Sequence, residues 1–425
     1  MKKLLLLIPL LCLLASPAWA VDFAVAQSAA PTSNGGTNDL TSSGFGTPLC
    51  AFFFLSAGVT NGTAAADSII AVGAYDGTRQ NSFTATADDN VGTSVTDGDT
   101  DADSALLTQL ASTSVKDSDG TASFITDGAR ITWADAPPVA YLVNAVLLGG
   151  TGVSNCYVNT ATSPATQDTA TTVSSVGFAA DFVIVWSNNS DTGNFNSTVG
   201  FVANDGSNTQ RSIGMFDTDA AANMNTGAKL STTRVQQVSV ASTPTVSISN
   251  FTSSGFDVFD RDGNGARTIG YMAVKLNGLS VKVMTTASPN ATGSYTHSGV
   301  GFTPQFGLML QGEFAAVDTD YTSDNGEVFS LSAFTTANQV CGGTYDEDGD
   351  TTSIDKSLTD ALPVCLYKDG AAYATASFTA FTSDGPTFNY TVAPAAAKQW
   401  AGLFVSAPAT ASLSSPATPS VIFAP

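Results

Sequence analysis

Val176–Ser187 reads VGFAADFVIVWS, and the chain states that phrase three times. Around Gly44 it is GFGTPLCAFFFLS, and around Gly301 it is GFTPQFGLMLQ. Each copy is a Gly-Phe pair, a short turn often carrying proline, and a run of large apolar and β-branched residues. That is the pattern of a turn feeding a buried strand. Other landmarks fall into register around it. Pro31, Pro164 and Pro289 each follow a segment of period two, VDFAVAQ, NCYVNT and LSVKVMT. Phe124-x-x-Asp127-Gly128 matches Phe251-x-x-Ser254-Gly255 and Phe381-x-x-Asp384-Gly385. A closing strand opens on an aromatic each time: Tyr141-LVNAVLL, Tyr271-MAVKL and Trp400-AGLFV.

The aromatic recurs after 130 and 129 residues and the first glycine after 133 and 124, in the same order each time. Such periodicity marks tandem modules, here 21–149, 150–276 and 277–409, each the size of one sandwich domain. No Pro-rich or charge-rich linker separates them, so the modules are expected to abut. Within each, seven to nine short strands with turn signals between them argue an all-β chain of three antiparallel, jelly-roll-like β-sandwiches. Helix is expected only at Asp103–Leu110 (DSALLTQL), with a further turn within 218–230. The tail 410–425 includes LSSPATPSVIFAP, which echoes the start of a fourth repeat. Its apolar Ser420–Phe423 is a candidate strand, either for its own module or for a neighbour's sheet edge.

Residues Met1–Ala20 carry the marks of a secretory signal: Lys2 and Lys3, the apolar run Leu4–Leu14, and Ala18-Trp19-Ala20 as an A-x-A cleavage site. Removing Lys2 and Lys3 with this leader takes the formal charge from −21 to −23. Nucleic acid is excluded as a partner, since phosphate binding needs a basic footprint. No later stretch is apolar enough to be a membrane span. Charged residues are only 12% of the chain while 43% is hydrophobic, which suits half-buried strands joined by Gly/Asp/Asn/Ser turns. Beyond the leader there are four cysteines, an even count that favours disulfides outside the cytoplasm. Cys341 and Cys365 are expected to pair within one repeat, and Cys50 and Cys156 to tie the first repeat to the second.

The acidic turns are the candidates for metal. Asp260-Arg-Asp262-Gly-Asn264-Gly265 places oxygen ligands at alternate positions with glycine for the bend, as calcium loops do. Tyr345-Asp346-Glu-Asp348-Gly-Asp350 and Asp97-Gly-Asp99-Thr-Asp101-Ala-Asp103 are similar. Hairpin tips use the same residues for their turn conformations. Calcium is the one cofactor these spacings suggest. For catalysis little is available. The single histidine, His297 in SYTHSG, is expected in an exposed loop, and no G-x-S-x-G elbow accompanies it. Trp133, Trp186 and Phe195 are candidates for glycan contact, although the apolar strand around Trp186 favours core packing.

The second module resembles a β-rich module of structural and tail-associated proteins of tailed phages. The matching pieces are Gly177-Phe178, Asp181-Phe182-Val183, Trp186, Phe251 with Gly255-Phe256, and Tyr271-Met-Ala273-Val-Lys275. The third module keeps Gly301-Phe302-Thr-Pro304 and Phe381 with Gly385, with Trp400 in place of the tyrosine, and the first keeps less. The resemblance implies a structural or surface-recognition role without catalysis. The signal sequence departs from it, because virion proteins assembled in the cytoplasm need none. Together these readings predict a secreted, non-enzymatic structural or adhesion protein of the cell surface or matrix. Its expected partners are itself or neighbouring surface proteins. A carbohydrate-binding protein and a phage-type virion protein are the alternatives.

Overall fold

A computed structural model describes residues 21–110, 115–188, 195–221, 225–236, 245–263, 265–321, 327–347, 354–368 and 371–407. Among them no helix occurs. The leader and the strand expected at Ser420–Phe423 lie outside the described residues.

The first unit contains β1 (Phe23–Ala29), β2 (Thr37–Thr41), β3 (Cys50–Ser56), β4 (Ala65–Ala66), β5 (Ser68–Tyr75), β6 (Gln80–Ala87), β7 (Thr96–Asp101), β8 (Leu106–Leu110), β9 (Val115–Ile125), β10 (Gly128–Asp135) and β11 (Leu142–Leu148). The second contains β12 (Val153–Thr162), β13 (Ala170–Val173), β14 (Phe182–Asn188), β15 (Phe195–Ala203), β16 (Gln210–Asp217), β17 (Thr226–Ser231), β18 (Val246–Thr252), β19 (Gly255–Asp260) and β20 (Thr268–Leu276). The third contains β21 (Val281–Ala287), β22 (Gly293–Thr296), β23 (Pro304–Gly312), β24 (Glu327–Thr335), β25 (Gln339–Asp346), β26 (Asp355–Asp360), β27 (Val364–Lys368), β28 (Ala371–Thr382), β29 (Gly385–Val392) and β30 (Gln399–Ser406).

All three units follow one antiparallel plan of a large inner and a small outer sheet. The inner sheets run β1-β11-β3-β5-β6-β7, β12-β20-β14-β15-β16-β17 and β21-β30-β23-β24-β25-β26, the last extended by β4 of the first unit. The outer sheets run β2-β10-β9-β8, β13-β19-β18 and β22-β29-β28-β27. The closing strand that the sequence opens on Tyr141, Tyr271 or Trp400 returns to the inner sheet between the first strand and the Gly-Phe strand.

Why those Gly-Phe strands are apolar without alternation follows from what lies on each face. In β3, Ala51, Phe53 and Leu55 enter the core shared with the unit's own outer sheet, whereas Cys50, Phe52 and Phe54 point the other way. The same split puts Val183 and Val185 in the second private core and Phe182, Ile184 and Trp186 outside it. In β23, Met309 faces inward to its unit while Phe306, Leu308 and Leu310 do not. These second faces meet in one central core drawn from all three inner sheets. A strand covered on both faces loses its polar alternation, so the continuous runs encode the central core. Phe52 meets Trp186 at 5.9 Å between ring centroids, and Phe23 stacks on Phe306 at 4.8 Å.

The arrangement closes into a ring. β12 packs on β6, β21 packs on β15 and β16, and β1 packs on β24 and β25, returning the start of the chain to the third unit. The Val158 amide donates to Asp76 Oδ2 (2.8 Å), Arg211 Nε to Thr285 Oγ1 (2.6 Å), and Asn338 Nδ2 to the Val25 carbonyl (3.0 Å). Cys50 is joined to Cys156 across the first junction and Cys341 to Cys365 within the third unit. At the third junction β4 pairs with β26, and Ser56 Oγ donates to the Leu358 carbonyl.

Local motifs make sense at this level. The aspartate of the Phe-x-x-Asp-Gly motif pins the Gly-Phe turn. Asp127 accepts from the Gly46 amide (2.8 Å), and Asp384 accepts from Gly299 and Gly301 (3.0 and 2.8 Å). In the second unit the Ser254 carbonyl takes the Gly177 amide instead. The following glycine is required because a Cβ on Gly128, Gly255 or Gly385 would lie 2.1, 1.7 or 2.0 Å from the carbonyl oxygen of Leu40, Val173 or His297. A further repeat, Gln80, Gln210 and Gln339, opens β6, β16 and β25. Each glutamine Oε1 accepts a backbone amide from the outer sheet: Ala122, Ile248 or Phe378.

Two expectations of helix give way to strands. Asp103–Leu110 supplies β8, paired with β9, because so short a helix is not self-sustaining and the sheet offers a ladder. Within 218–230 the chain forms β17 on β16.

Candidate functional site

The first junction holds an open cleft. Two contiguous hollows of about 390 and 430 Å³ share Asn81, Ala102 and Thr160 in their walls. One wall is β6 and the turn after β7, and the other is β12 with the ends of β14 and β20.

Asn81 (first unit) and Asn188 (second unit) reach across the junction in opposite directions, and each needs a bare glycine opposite. A Cβ on Gly270 would lie 2.4 Å from Asn81 Oδ1 and 2.2 Å from Trp186 Nε1. A Cβ on Gly98 would lie 1.8 Å from Asn188 Nδ2. Asn188 Nδ2 donates to the Thr84 carbonyl at 3.0 Å, leaving its Oδ1 without a partner. Both polar atoms of the Asn81 side chain, Trp186 Nε1, Ser82 Oγ and Ser187 Oγ are likewise buried without a hydrogen bond. Asn81 is 3% exposed and Trp186 1%. Buried polar atoms are nearly always paired, so such a group at one junction is unusual.

Two ion pairs flank it. Arg79 is bonded to Asp76 at 2.8 Å and lies 3.8 Å over the Tyr157 ring. Asp101 pairs with Lys116. Burial raises the Asp101 pKa, but bonds from Lys116, the Asp103 amide and Ser104 outweigh it and hold the carboxyl below its usual range. Burial pushes the Tyr75 hydroxyl up, helped by Asp76. Neither histidine nor cysteine lines the cleft among the described residues. The unpaired atoms are sealed from solvent, so they belong to the packed junction behind the hollows and not to the open face of the cleft.

The other candidates fall elsewhere. Asp97, Asp99 and Asp101, expected in a turn, lie along β7. Asp260 ends β19, buried, and its Oδ1 accepts the amides of Asp262 and Gly263 (2.8 and 2.7 Å), the turn-stabilising use of such a residue. Asn264, Asp348 and Asp350 lie outside the described residues. Asp346 ends β25, fully buried, where burial and the nearby Asp217 carboxylate push it well above the usual carboxylate range. Among the described residues no three His, Cys, Asp or Glu side chains are grouped to hold a metal ion.

His297 is not exposed. It is 1% accessible, with Nδ1 and Thr286 Oγ1 at 2.9 Å, Nε2 and the Tyr390 hydroxyl at 2.8 Å, and Trp400 stacked on it at 6.0 Å. Burial lowers its pKa to about 3, so it is a neutral core residue. Trp133 is also core, its Nε1 bonded to Asn38 Oδ1 at 2.8 Å. The Phe195 side chain lies outside what is described.

Sequence reasoning named Trp186 but missed Asn81, Asn188, Gly98 and Gly270, because the junction that unites them is set by ring closure. The glutamine repeat was legible, since Gln80, Gln210 and Gln339 recur with the same 130- and 129-residue spacing as the aromatics. No helix of the described residues is long and apolar enough to cross a membrane. A scan against protein-family models found no match, and a search of curated proteins found none either.

Proposed function

We propose that this chain is a secreted, non-enzymatic structural or adhesion protein of the cell surface or extracellular matrix. The observation that carries the reading is the closed ring of three sandwiches around one core. Such a body holds its loops at fixed mutual positions, because no module can turn without opening the central core. Rigid display lowers the ordering cost of each contact and lets several loops engage one partner together. The two cross-links suit an oxidising compartment. The sole histidine is committed to core packing, and the acidic surface suits solubility outside the cell. Partners are further copies of the chain or neighbouring surface proteins.

Fractionation of producing cells tests this. The expected result is a chain beginning at Val21, held at the outer surface, whose four thiols react only after reduction, and whose deletion weakens attachment. A full-length chain in the cytosol with free thiols would overturn the reading.

A further inference from the structure

We propose that the junction between the first and second units is a redox-sensitive gate, latched by the Cys50–Cys156 bridge and opened when a dithiol reductant cleaves that bridge. The device is independent of what the loops engage and adds a regulation that the adhesion reading does not contain.

Three observations converge. First, the closed junction contains a polar seam that it does not satisfy. Both side-chain polar atoms of Asn81, with Ser82 Oγ, Trp186 Nε1, Ser187 Oγ and Asn188 Oδ1, are sealed from solvent without a hydrogen bond. Each such atom costs free energy that hydration would return, so this seam favours an opened form more than a fully paired one would. Asn81 and Ser82 come from the first unit and the other three residues from the second, so parting the two walls is what admits water. The hollows of about 390 and 430 Å³ already bring solvent up to the seam. Second, the bridge crosses this same junction. Cys156 lies on β12, the strand whose Thr160 lines both hollows, and Cys50 lies on β3, the strand whose Phe52 ring meets Trp186. Third, the two bridges differ in shelter. Cys341 and Cys365 are 0% and 1% accessible inside the third unit, packed with Leu358. Cys156 is only partly buried, on an edge strand of its inner sheet. Thiol exchange depends on access and on local opening, so the junction bridge is the more open to attack. Attack of a reductant thiolate on Cys156 Sγ expels Cys50 as a thiolate and leaves a mixed disulfide. The reductant's second thiol then closes on its own sulfur and frees Cys156. Two electrons and two protons pass from the dithiol to the bridge, leaving two cysteine thiols and a cyclic disulfide.

The test treats the chain from Val21 with graded dithiothreitol under native conditions and maps the alkylated cysteines by mass spectrometry. Amide exchange and indole emission are then compared in the oxidised and reduced forms. Cys50 and Cys156 should be alkylated first, with Cys341 and Cys365 still joined. The Val158 amide, which donates across the junction to Asp76, should exchange at least about tenfold faster after reduction, while the amides of β29 in the third unit keep their rates. Hydration of the Trp186 indole should shift its emission to longer wavelength, and Trp186→Phe should remove that shift. Asn81→Ala deletes two of the sealed polar atoms and with them the hydration gained on opening, so it should slow reduction of Cys50–Cys156 by at least about tenfold. Ser187→Ala is the smaller second variant, with the same expected direction. The proposal is overturned if the two bridges are reduced together or only on global unfolding. It is equally overturned if reduction leaves the Val158 amide and the indole emission unchanged, or if both variants are reduced at the parent's rate.

Discussion

His297 should make the protein sensitive to mild acid, and the size of the effect can be worked out. The imidazole is sealed among Thr286, Tyr295, Phe388, Tyr390 and Trp400, and burial holds its pKa near 3 against an ordinary 6.5. The unfolded chain therefore takes up a proton that the folded chain refuses. The stability due to this group is complete above pH 6.5 and is lost as pH falls towards the folded value. Each pH unit below 6.5 costs about 1.4 kcal/mol, so acidification to about pH 5 should cost roughly 2 kcal/mol from this residue alone. For a chain this long that is about 2 °C of melting temperature. Buried carboxyls with raised pKa, Asp346 above all, act in the opposite sense, so the raw profile is a mixture. The difference between parent and His297→Phe isolates the histidine. At pH 7.5 the variant should be less stable by about 2–5 kcal/mol, because the Thr286 and Tyr390 hydroxyls lose their partner. That gap should shrink by roughly 2 kcal/mol at pH 5. Denaturant unfolding of both proteins across pH 4.5–8 measures it, and a gap constant with pH would refute the reasoning.

Other substitutions probe different parts of the account. Asp346→Asn should raise stability at pH 7.5. The raised folded pKa means that Asp346 contributes fully below its unfolded value and loses that contribution as pH rises, and a permanently neutral side chain removes the loss; equal alkaline slopes for parent and variant would count against it. Gly255→Ala drives a Cβ to 1.7 Å from the Val173 carbonyl, and a cost below about 1 kcal/mol in denaturant unfolding would contradict the close approach. Gln339→Leu removes the acceptor for the Phe378 amide and should cost about 1–3 kcal/mol by the same assay. Replacing Cys50 and Cys156 together by serine opens a link spanning 106 residues, a loss of at most about 5 kcal/mol in the chain-entropy model, while thermal unfolding should stay cooperative.

The sequence was most legible where local chemistry repeats. The Gly-Phe turns, the Phe-x-x-Asp-Gly motif and the closing aromatics could all be read, because each is satisfied within one sandwich. Even so, the aspartate's task of pinning the glycine amides needed coordinates. The both-faced burial of β3, β14 and β23 was written in CAFFFLS, FVIVWSN and PQFGLMLQG, yet those runs do not say what covers the second face. Only ring closure answers that. The cleft was hidden for the same reason: Asn81 and Gly270 are 189 positions apart and meet only because the first two inner sheets share the central core. His297 misled because SYTHSG looks like a polar loop while its ring turns inward to Thr286 and Tyr390. DSALLTQL misled because weak helical spacing yields to an available sheet edge.

Differential scanning calorimetry of the chain from Val21 addresses the central claim that three sandwiches share one core and form one cooperative body. The account predicts a single transition whose calorimetric enthalpy equals its van't Hoff enthalpy. Separate transitions, or a calorimetric enthalpy roughly three times the van't Hoff value, would mean that the modules melt independently and that the ring does not hold them together.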